Sequence, residues 1–443
     1  MERTYINEAQ KAIGGTVKVQ GFIENLRNSK YMAFIVLKDI TGKLQITVEK
    51  ADHPELVDTI DQLTPDSVIT VTGKVMENDY VKMGGVEMIP ESIEVESTAN
   101  ALPIVRKEIA ATKKKKAVER SSIDQRIDYR WIDLRTDENQ LMFKAQSCFV
   151  NAMRKFLLDR NFIEIHTPKL IAAASESGSE VFKVDYFDRN AYLAQSPQFY
   201  KQMMVGVFDR VFETAPVFRA EKHNTKRHLN EYTSLDFEMG YIDSFEEIMA
   251  METGFLQYAV ALLQKDYAKE LQILKVQLPK VDKIPAVRFD KAKELVSEKY
   301  NRKIRNPYDL EPEEEMLIGK YFKEEYGADF VFVTHYPSKK RPFYAMDDPA
   351  DPTFTLSFDL LYHGLEITTG GQRIHDYNML LEKIEKRGMT TEGMEQYMDT
   401  FKHGMPPHGG LGIGLERLTM KLIGEDNVRE TTLFPRDMSR LEP

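Results

Sequence analysis

The first hundred residues form short runs in which apolar and polar positions alternate. The runs cover residues 17–23, 33–39, 44–48, 68–75 and 86–89. A period of two is typical of β-strands with one buried face, and the turn pair Thr41-Gly42 separates the second run from the third. A helical stretch, residues 55–63, follows the third run. This order predicts a five-stranded barrel of the oligonucleotide-binding (OB) type, but a β-sandwich and an SH3-like barrel fit the same pattern.

The chain from residue 128 onward mixes helical and strand patterns. Apolar residues recur there at steps of three and four, as expected of an amphipathic helix, at Met142, Ala145, Phe149, Met153 and Phe156. Further helices are predicted near 245–265 and 290–300, and strands at 162–165, 330–334, 343–346, 354–362 and 365–369. The mixture indicates an α+β domain over residues 128–443.

Between these two parts, residues 101–127 lose both periodicities. They are predicted to be a linker or hinge after a barrel domain at residues 1–100. Four consecutive lysines lie in this stretch at 113–116. A solvated run of charge is the commoner explanation for such a segment, and contact with phosphate groups is the alternative.

Composition narrows the class of protein. The chain has 443 residues, 42% apolar and 29% charged, which is ordinary for a globular protein of more than one domain. Its single cysteine, Cys148, excludes a disulfide framework. No run of about 18 uncharged apolar residues and no secretory signal is present, which predicts a cytoplasmic protein without a membrane span. The net charge of −10 argues against a surface that is basic throughout, but it permits a local basic surface that binds nucleic acid.

The most informative block lies between residues 217 and 241. Arg219 and Glu221 share one face of a predicted strand, and Ser234, Asp236 and Glu238 share one face of the next. The loop between the two strands is basic and polar, with the sequence HNTKRH. Such a surface suits a polyphosphate whose charge must be neutralised and whose α-phosphorus must be aligned. Surface salt bridges would explain the first two residues but not the loop.

A second block contains Gln198 and Lys201, three residues apart on one side of a predicted helix. Ser196-Pro197 precedes them and reads as a helix cap followed by proline in the first turn. Taken alone, this block is better explained by a plain capped helix with an exposed lysine.

Two further blocks occur toward the carboxyl end. Asp359 and Glu366 fit opposite positions on a hairpin, where they would offer oxygen ligands to Mg²⁺, although isolated carboxylates of this kind are more often structural. Gly370-Gly371 allows close backbone approach, and Arg373 offers a bidentate fork to a carboxylate. Arg417 lies in the first turn of a helix that follows a glycine-rich segment, beside an end that favours anions. The glycine spacing does not match a dinucleotide-binding fingerprint, so a Rossmann site is excluded.

Two other groups of residues do not form a predicted metal site. His223 and His228 have no cysteine or third ligand with which to form a zinc site. Asp347, Asp348 and Asp351 lack the spacing of a calcium loop.

Taken in order, these blocks resemble the three signature motifs of the class II aminoacyl-tRNA synthetases. The helix and strand ending at Pro168 are similar to motif 1, residues 218–238 to motif 2 and residues 412–417 to motif 3. An amino-terminal barrel before such a domain is similar to the subgroup for Asp, Asn and Lys. QSPQ at 195–198 and GGQRIHDY at 370–377 resemble the aspartyl members of archaeal and eukaryotic type. The resemblance implies an OB-type anticodon-binding barrel, a catalytic domain built on an antiparallel sheet flanked by helices, and a homodimer through the Pro168 region.

The resemblance also implies a two-step reaction. The α-carboxylate of L-aspartate attacks the α-phosphorus of Mg-ATP, giving aspartyl-adenylate and diphosphate. The terminal ribose hydroxyl of tRNA-Asp then takes the aspartyl group and AMP leaves, and tRNA-Asn stays open as a second acceptor. Neither step needs a protein nucleophile, so positioning and charge neutralisation supply most of the rate.

Roles for side chains follow from the resemblance, position by position. The implied ATP-binding residues are Arg219, Glu221, Arg227, His228, Tyr232, Glu366 and Arg417. Of these, Arg219 and Arg417 are implied to serve catalysis most directly. The implied Mg²⁺ ligands are Asp359 and Glu366. The implied aspartate-binding residues are Glu176, Gln198, Lys201, Asp236 and Arg373. The implied anticodon-binding residues are Arg27, Phe34 and Gln45, although strand packing explains Phe34 and an exposed strand position explains Gln45 just as well.

The preference for aspartate over asparagine has a physical basis. Two fixed cations, Lys201 and Arg373, would be left partly unpaired by a neutral amide. The nearest rivals are the asparaginyl enzymes, which share all three motifs. A paralogue without aminoacylation would be expected to have lost the motif arginines or the acidic pair, and all are present. The predicted barrel argues against a biosynthetic ligase that does not use tRNA.

Overall fold

The computed structural model describes residues 1–108, 117–173, 181–222 and 225–442. The lysine run at 113–116, Glu176 and His223 lie outside these ranges, so the predictions for them stay predictions. The chain divides into two compact units, Met1–Ser121 and Ser122–Pro443. The predicted linker spans this division, with residues 123–127 inside the first helix of the second unit, and its role as a hinge stays a prediction.

The first unit is a closed five-stranded barrel, which confirms the OB-type prediction. Its strands are β1 (Thr16–Asn28), β2 (Met32–Lys38), β3 (Lys43–Glu49), β4 (Val68–Glu77) and β5 (Val86–Ser97). They pair in the order β1-β2-β3-β5-β4, and β1 and β4 pair to close the barrel. The helices are α1 (Ile6–Ala9) and α2 (Val57–Gln62), with a 3₁₀ turn at Pro54–Leu56. Alternate strand residues such as Ile35 and Leu37 fill the core, as period-two burial requires.

The second unit is built on an eight-stranded sheet. The strands of this unit, in chain order, are β6 (Ile163–Glu164), β7 (Leu170–Ile171), β8 (Lys183–Tyr186), β9 (Arg189–Leu193), β10 (Arg210–Phe218), β11 (Glu231–Gly240), β12 (Ala286–Arg288), β13 (Phe330–Thr334), β14 (Asp347–Asp348), β15 (Asp351–Thr355), β16 (Ser357–Tyr362), β17 (Leu365–Gln372) and β18 (His408–Gly414). The large sheet has the order β12-β13-β16-β17-β18-β11-β10-β6 and is antiparallel except at its two outermost pairs. The other strands form a three-stranded sheet, β7-β9-β8, and a two-stranded one, β14-β15.

Helices flank this sheet, as predicted for an α+β domain. They are α3 (Ile123–Asp128), α4 (Arg130–Asp133), α5 (Asp137–Leu158), α6 (Gln198–Phe208), α7 (Glu246–Asp266), α8 (Ala268–Ile273), α9 (Phe289–Tyr300), α10 (Pro312–Tyr326), α11 (Tyr377–Lys386), α12 (Glu395–Lys402) and α13 (Leu415–Ile423), with a 3₁₀ turn at Val428–Thr431. No helix in the described ranges has the length and hydropathy needed to cross a bilayer.

The two faces of the central strands differ in chemistry. Leu235 and Phe237 of β11 and Leu411 and Ile413 of β18 are buried in one core with the apolar side of α5 and α7. The residues between them, beginning with Asp236, lie on the opposite face. The alternation in the sequence therefore places carboxylates on the face away from this core, as predicted.

One predicted strand is wrong. Residues 343–346 form a turn in which Ala345 alone makes a bridge, to Arg373. Phe343 and Tyr344 are apolar because both are buried in a cluster with α11 and α12, not because they alternate across a sheet. The strand predicted at 162–165 is also shorter, since β6 contains only Ile163 and Glu164. The single strand predicted at 354–362 is divided between β15 and β16, which belong to different sheets.

Candidate active site

A cleft of about 480 Å³ lies on the polar face of the large sheet. The predicted site residues that line it are Gln198, Lys201, Arg219, Glu221, Arg227, His228, Tyr232, Asp236, Glu366, Arg373 and Arg417. Of the other two residues predicted for this site, Glu176 falls outside the described ranges and Asp359 is not among the described residues that line the cleft. Residues from four separate sequence blocks thus share one cavity.

At one end of the cleft, Lys201 projects from the first turn of α6 into a set of acceptors. Its Nζ donates to Asp236 Oδ1 at 2.9 Å and to the carbonyl oxygen of Leu411 at 3.0 Å. It also lies 3.4 Å from Oε2 of Glu238. Lys201 and Asp236 are each only 2% exposed, so this is a buried ion pair.

Arg373, at the end of β17, reaches the carboxylate of Glu238 as well. Its Nε donates to Glu238 Oε1 at 2.8 Å, and its Nη2 donates to the carbonyl oxygen of Gly410 at 3.0 Å. Burial favours the neutral form of Glu238, but Arg373 and Lys201 outweigh it and hold the pKa of Glu238 below its ordinary value. Glu238 was not predicted to have a role, although it alternates with Asp236 on one face of β11.

The predicted reason for rejecting asparagine, that a neutral amide would leave Lys201 and Arg373 partly unpaired, therefore needs correction. Lys201 and Arg373 converge as predicted, but Asp236 and Glu238 already neutralise them. An incoming carboxylate would enter a pocket of balanced charge. Discrimination against an amide would depend on which donors remain directed at the ligand, and less on net positive charge.

Glycines in β18 make room for these carboxylates. A Cβ at Gly410 would lie 2.2 Å from Glu238 Oε2, and a Cβ at Gly412 would lie 3.0 Å from Asp236 Oδ1. Leu411, between them, points into the core. The glycine-rich motif thus serves close approach of strand and side chain.

Gln198 is oriented by a chain of hydrogen bonds behind the pocket. Its Nε2 donates to Gln202 Oε1 at 2.9 Å, and the hydroxyl of Tyr397 donates to the same oxygen at 3.0 Å. Burial lowers the pKa of His408 to about 4, so its neutral ring accepts at Nε2 from Gln202 and donates from Nδ1 to Pro406 O. With its amide nitrogen engaged, Gln198 offers its carbonyl oxygen as an acceptor for an ammonium group.

At the other end of the cleft, Arg219 and Glu221 follow β10. The strand ends at Phe218, so these two residues lie in the loop and not on the strand as predicted. Asn230 ties the loop together because its Nδ2 donates to the carbonyl oxygens of Arg219 at 2.6 Å and of Glu221 at 3.1 Å. His228, also in this loop, lies 3.8 Å from Glu221 Oε2.

Arg417 and Glu416, in the first turn of α13, contact the motif 2 segment. Arg417 Nε donates to the carbonyl oxygen of Arg227 at 3.2 Å, and its Nη1 donates to that of Glu366 at 3.1 Å. The carboxylate of Glu416 accepts from the backbone N–H of Thr233 at 3.0 Å, next to Tyr232. Burial raises the pKa of Glu416 to about 7. The sequence did not indicate the contact between Glu416 and Thr233.

The acidic pair on the β16–β17 hairpin is not directly opposed, which corrects the prediction. Asp359 faces Thr369 and Glu366 faces Leu361, with an irregularity between them. Arg341 Nη2 donates to Asp359 Oδ1 at 2.7 Å. Burial raises the pKa of Asp359 to about 6, against the effect of Arg341 and helped by the nearby charge of Glu366.

These two carboxylates are suited to a cation that also binds phosphate. Their mutual repulsion would be relieved by a divalent ion, and Mg²⁺ usually takes one or two protein carboxylates together with substrate phosphates. The described residues contain no cluster of three or more His, Cys, Asp or Glu side chains able to hold a metal by themselves.

The barrel has a cleft of its own, of about 780 Å³, and the three predicted anticodon residues line it. Phe34 faces Arg27 across β1 and β2 and is half-buried, outside the barrel core. Gln45 Nε2 donates to Thr47 Oγ1 at 3.0 Å and lies 3.4 Å from Glu87 Oε2. Packing in the core therefore does not explain Phe34.

Two family models match the chain. The tRNA synthetases class II (D, K and N) cover residues 122–438, and the OB-fold nucleic acid binding domain covers residues 17–96. The chain belongs to the class II tRNA synthetases of the D, K and N group. This class II synthetase is therefore an aminoacyl-tRNA ligase that uses ATP as a substrate.

Curated relatives of the synthetase match over its whole length. The aspartate–tRNA(Asp/Asn) ligase of Aeropyrum pernix is 42% identical and aligns over 99% of this chain and 98% of that protein. The aspartate–tRNA(Asp) ligase of Pyrococcus furiosus is 41% identical over 99% of both chains.

Solved structures with the same fold include enzymes of two specificities. The asparaginyl-tRNA synthetase of Pyrococcus horikoshii with asparaginyl-adenylate has a TM-score of 0.91 at 29% identity, covering 100% of both chains. The aspartyl-tRNA synthetase of Entamoeba histolytica has a TM-score of 0.88 at 32% identity, covering 100% of this chain and 93% of that chain. Fold similarity therefore does not separate aspartate from asparagine, and the synthetase's own side chains must do so.

Proposed function

We propose that the protein activates L-aspartate with Mg-ATP and transfers it to the 3′ end of tRNA-Asp. The observation that carries the proposal is the meeting of Lys201 and Arg373 at Glu238, in a cleft whose other end holds Arg219 and Arg417. A side-chain carboxylate would bind at the first end and a nucleotide at the second. The names of the 41–42% identical relatives support the same substrate.

Within this cleft, each end has a separate task. Lys201 and Arg373 would bind the side-chain carboxylate, and Gln198 and Asp236 would accept hydrogen bonds from the ammonium group, with Glu176 assisting. The α-carboxylate would then point toward Arg219. This arrangement places the nucleophile and the α-phosphorus together, which is the main source of rate when no protein nucleophile is involved.

The remaining nucleotide contacts rest on the resemblance to the family, and all of the residues named for them except Asp359 line the cleft. Arg219 would neutralise the α-phosphate, and Arg417, Arg227 and His228 would hold the outer phosphates. Tyr232 would lie against adenine, while Glu221 would shape the loop. Asp359 and Glu366 would hold Mg²⁺, which supplies charge neutralisation on the phosphates when bound.

The barrel would read the anticodon through Arg27, Phe34 and Gln45. An aromatic ring beside hydrogen-bonding groups on a barrel face suits unpaired loop bases. The relatives differ in whether their names include tRNA(Asn), so service to tRNA-Asn is a separate proposal. Homodimer formation through the Pro168 region and a cytoplasmic location also remain predictions.

Amino-acid-dependent exchange of diphosphate into ATP tests the substrate directly. We expect exchange with L-aspartate and at least about 100-fold less with L-asparagine at equal concentration, since a site built for one polar group rejects its analogue strongly. Equal or faster exchange with asparagine would assign the protein to the asparaginyl enzymes. Exchange with neither would contradict an amino-acid-activating role.

The tRNA partner is tested with two transcripts that differ at one anticodon base. Purified tRNA-Asp with the GUC anticodon should accept labelled aspartate. A matched tRNA with GUU shows whether the barrel tolerates the last base of tRNA-Asn. Charging of GUU at a comparable rate would establish the wider specificity.

A further inference from the structure

Glu315 links helix α10 to the nucleotide end of the cleft, although it belongs to none of the signature motifs. Its Oε2 accepts a hydrogen bond from Arg227 Nη2 and another, at 3.2 Å, from the backbone N–H of Glu366. The residue is only 7% exposed. Glu315 is not among the described residues that line the cleft, so any effect on a ligand must pass through its neighbours.

These contacts close a ring around the nucleotide end. Arg227 offers its carbonyl oxygen to Arg417 Nε at 3.2 Å. Arg417 Nη1 donates to the carbonyl oxygen of Glu366 at 3.1 Å and lies 3.5 Å from its carboxylate. Glu366 returns to Glu315 through its backbone N–H. The ring joins motif 2, motif 3, the acidic hairpin and α10.

Helix α10 is fixed against the acidic hairpin, which makes it a firm base for Glu315. Gly364, in the turn between β16 and β17, has a φ of +72° and lies directly against the helix. A Cβ at Gly319 would lie 2.4 Å from Gly364 N, and a Cβ at Gly364 would lie 2.6 Å from Met316 Cα. Such close backbone contact leaves the helix little freedom to slide.

Arg227 is therefore held from behind while its side chain, 22% exposed, still lines the cleft. Its Nε is buried and makes no hydrogen bond within the described part of the chain. A long arginine side chain loses rotamer entropy when it is fixed, so fixing it in advance lowers the cost of binding a ligand.

We propose that Glu315 is a positioning residue that holds Arg227 ready for the phosphates of ATP. This inference rests on the proposed function only for the identity of the ligand. It concerns ATP binding, which can be measured without an amino acid or tRNA.

The test compares binding of Mg-ATP to the full-length protein and to Glu315→Gln by isothermal titration calorimetry. The variant keeps the size of the side chain and an acceptor for the N–H of Glu366 but replaces the acid that accepts from Arg227 with a neutral amide. We expect Kd for Mg-ATP to rise about tenfold, because a hydrogen bond between a carboxylate and a guanidinium is roughly twice as strong as one between neutral groups and only part of that difference reaches the ligand. KM for aspartate in the exchange assay should change less than about twofold, since the amino-acid end is untouched.

Two matched variants separate positioning from a structural role. Glu314→Gln removes a neighbouring buried carboxylate that pairs with Lys293 at 2.6 Å, away from the cleft. It should lower the melting temperature and leave Kd for Mg-ATP unchanged. Glu324→Gln, on the exposed side of the same helix, should alter neither. A shorter charged residue, Glu315→Asp, should give an intermediate Kd and serves if the glutamine variant does not fold.

A double-mutant cycle decides whether the effect passes through Arg227. In an Arg227→Ala background, Glu315→Gln should cause no further rise in Kd. Wild-type affinity in Glu315→Gln, tighter binding, or a full effect in the Arg227→Ala background would each overturn the proposal. If the wild type binds Mg-ATP but shows no aspartate-dependent exchange, the proposed function fails while this inference is still decided by the ATP measurements.

Discussion

Glu238 joins Lys201 to Arg373: its Oε1 accepts from Arg373 Nε at 2.8 Å, and its Oε2 lies 3.4 Å from Lys201 Nζ. One cation comes from the first turn of α6 and the other from the end of β17. Because a fully buried carboxylate holds both, their spacing is set before any ligand arrives. The geometry that would select a side-chain carboxylate is thus part of the folded core.

Replacing Lys201 by methionine should abolish aspartate-dependent diphosphate exchange. The Lys201→Met variant loses the ammonium group that would bind the side-chain carboxylate, and removing one partner of such a buried charge pair weakens binding by about 2–5 kcal/mol, or about 30-fold and more. It also leaves Asp236 buried without its cation, which destabilises the fold. The melting temperature should fall as well, whereas affinity for Mg-ATP should persist. Lys155→Met, at a site on α5 whose lysine side chain is 64% exposed, is the control. Near-normal exchange by Lys201→Met would remove Lys201 from the site.

A single methyl group at Gly410 should disturb the same pocket through the backbone. The added Cβ would lie 2.1 Å from Phe237 O and 2.2 Å from Glu238 Oε2, so Gly410→Ala must displace the carboxylate that holds Arg373. We expect loss of aspartate-dependent exchange.

Gly206→Ala is the matched control for this variant. Gly206 lies within α6, and its added Cβ would lie 3.5 Å from Met405 Cε, an ordinary van der Waals distance. This variant should keep normal exchange and melt at the same temperature or higher, because alanine is favoured over glycine in helices by about 1 kcal/mol. Equal exchange in the two glycine variants would show that the close approach at Gly410 does not matter.

Much of this architecture can be predicted from the sequence, because burial on one face makes apolar residues recur at a regular spacing along a strand or helix. The barrel strands and helix α5 were predicted from alternation and from steps of three and four, and both are confirmed. The prediction failed at residues 343–346, where Phe343 and Tyr344 are apolar because helices cover both. Local pattern does not distinguish burial on one face of a sheet from burial beneath helices.

The site divides in the same way. Lys201 and Arg373 belong to short motifs and could be proposed from them. Glu238 could have been suspected from its alternation with Asp236, but its partners come from segments far away in the chain. Glu315 leaves no local signal, since its contacts to Arg227 and Glu366 exist only once α10 packs on the hairpin.

Glu252 should make stability depend on pH. This residue of α7 is fully buried beneath the sheet, where it accepts a hydrogen bond from Thr368. Burial, opposed by the Thr368 bond and assisted by the charge of Asp359, raises the pKa of Glu252 from 4.5 to about 8. The folded state therefore keeps a proton that the unfolded chain loses above pH 4.5. The stabilisation is complete below pH 4.5, declines as pH rises, and is gone above about pH 8.

The Glu252→Gln variant mimics the neutral acid and isolates this effect. At pH 5 it should melt close to the wild type, and by pH 9 it should melt about 3 °C higher or more, since one pKa unit is about 1.4 kcal/mol. Glu246→Gln, exposed on the same helix, should follow the wild-type curve. A difference between Glu252→Gln and wild type that stays constant from pH 5 to 9 would contradict an elevated pKa.

In the barrel, loss of the Gln45 side chain should weaken tRNA use without affecting amino acid activation. Gln45 lines the barrel cleft beside Thr47 and Glu87, and one base-edge contact is worth about 1–3 kcal/mol, so Gln45→Ala should raise KM for tRNA about tenfold. Diphosphate exchange needs no tRNA and should be unchanged. Gln20→Ala is the control. It alters another barrel glutamine, whose Nε2 donates a hydrogen bond to Thr70 at 2.8 Å and which is not among the described residues that line the cleft. Unchanged charging by Gln45→Ala at limiting tRNA would show that this side chain does not contact the anticodon.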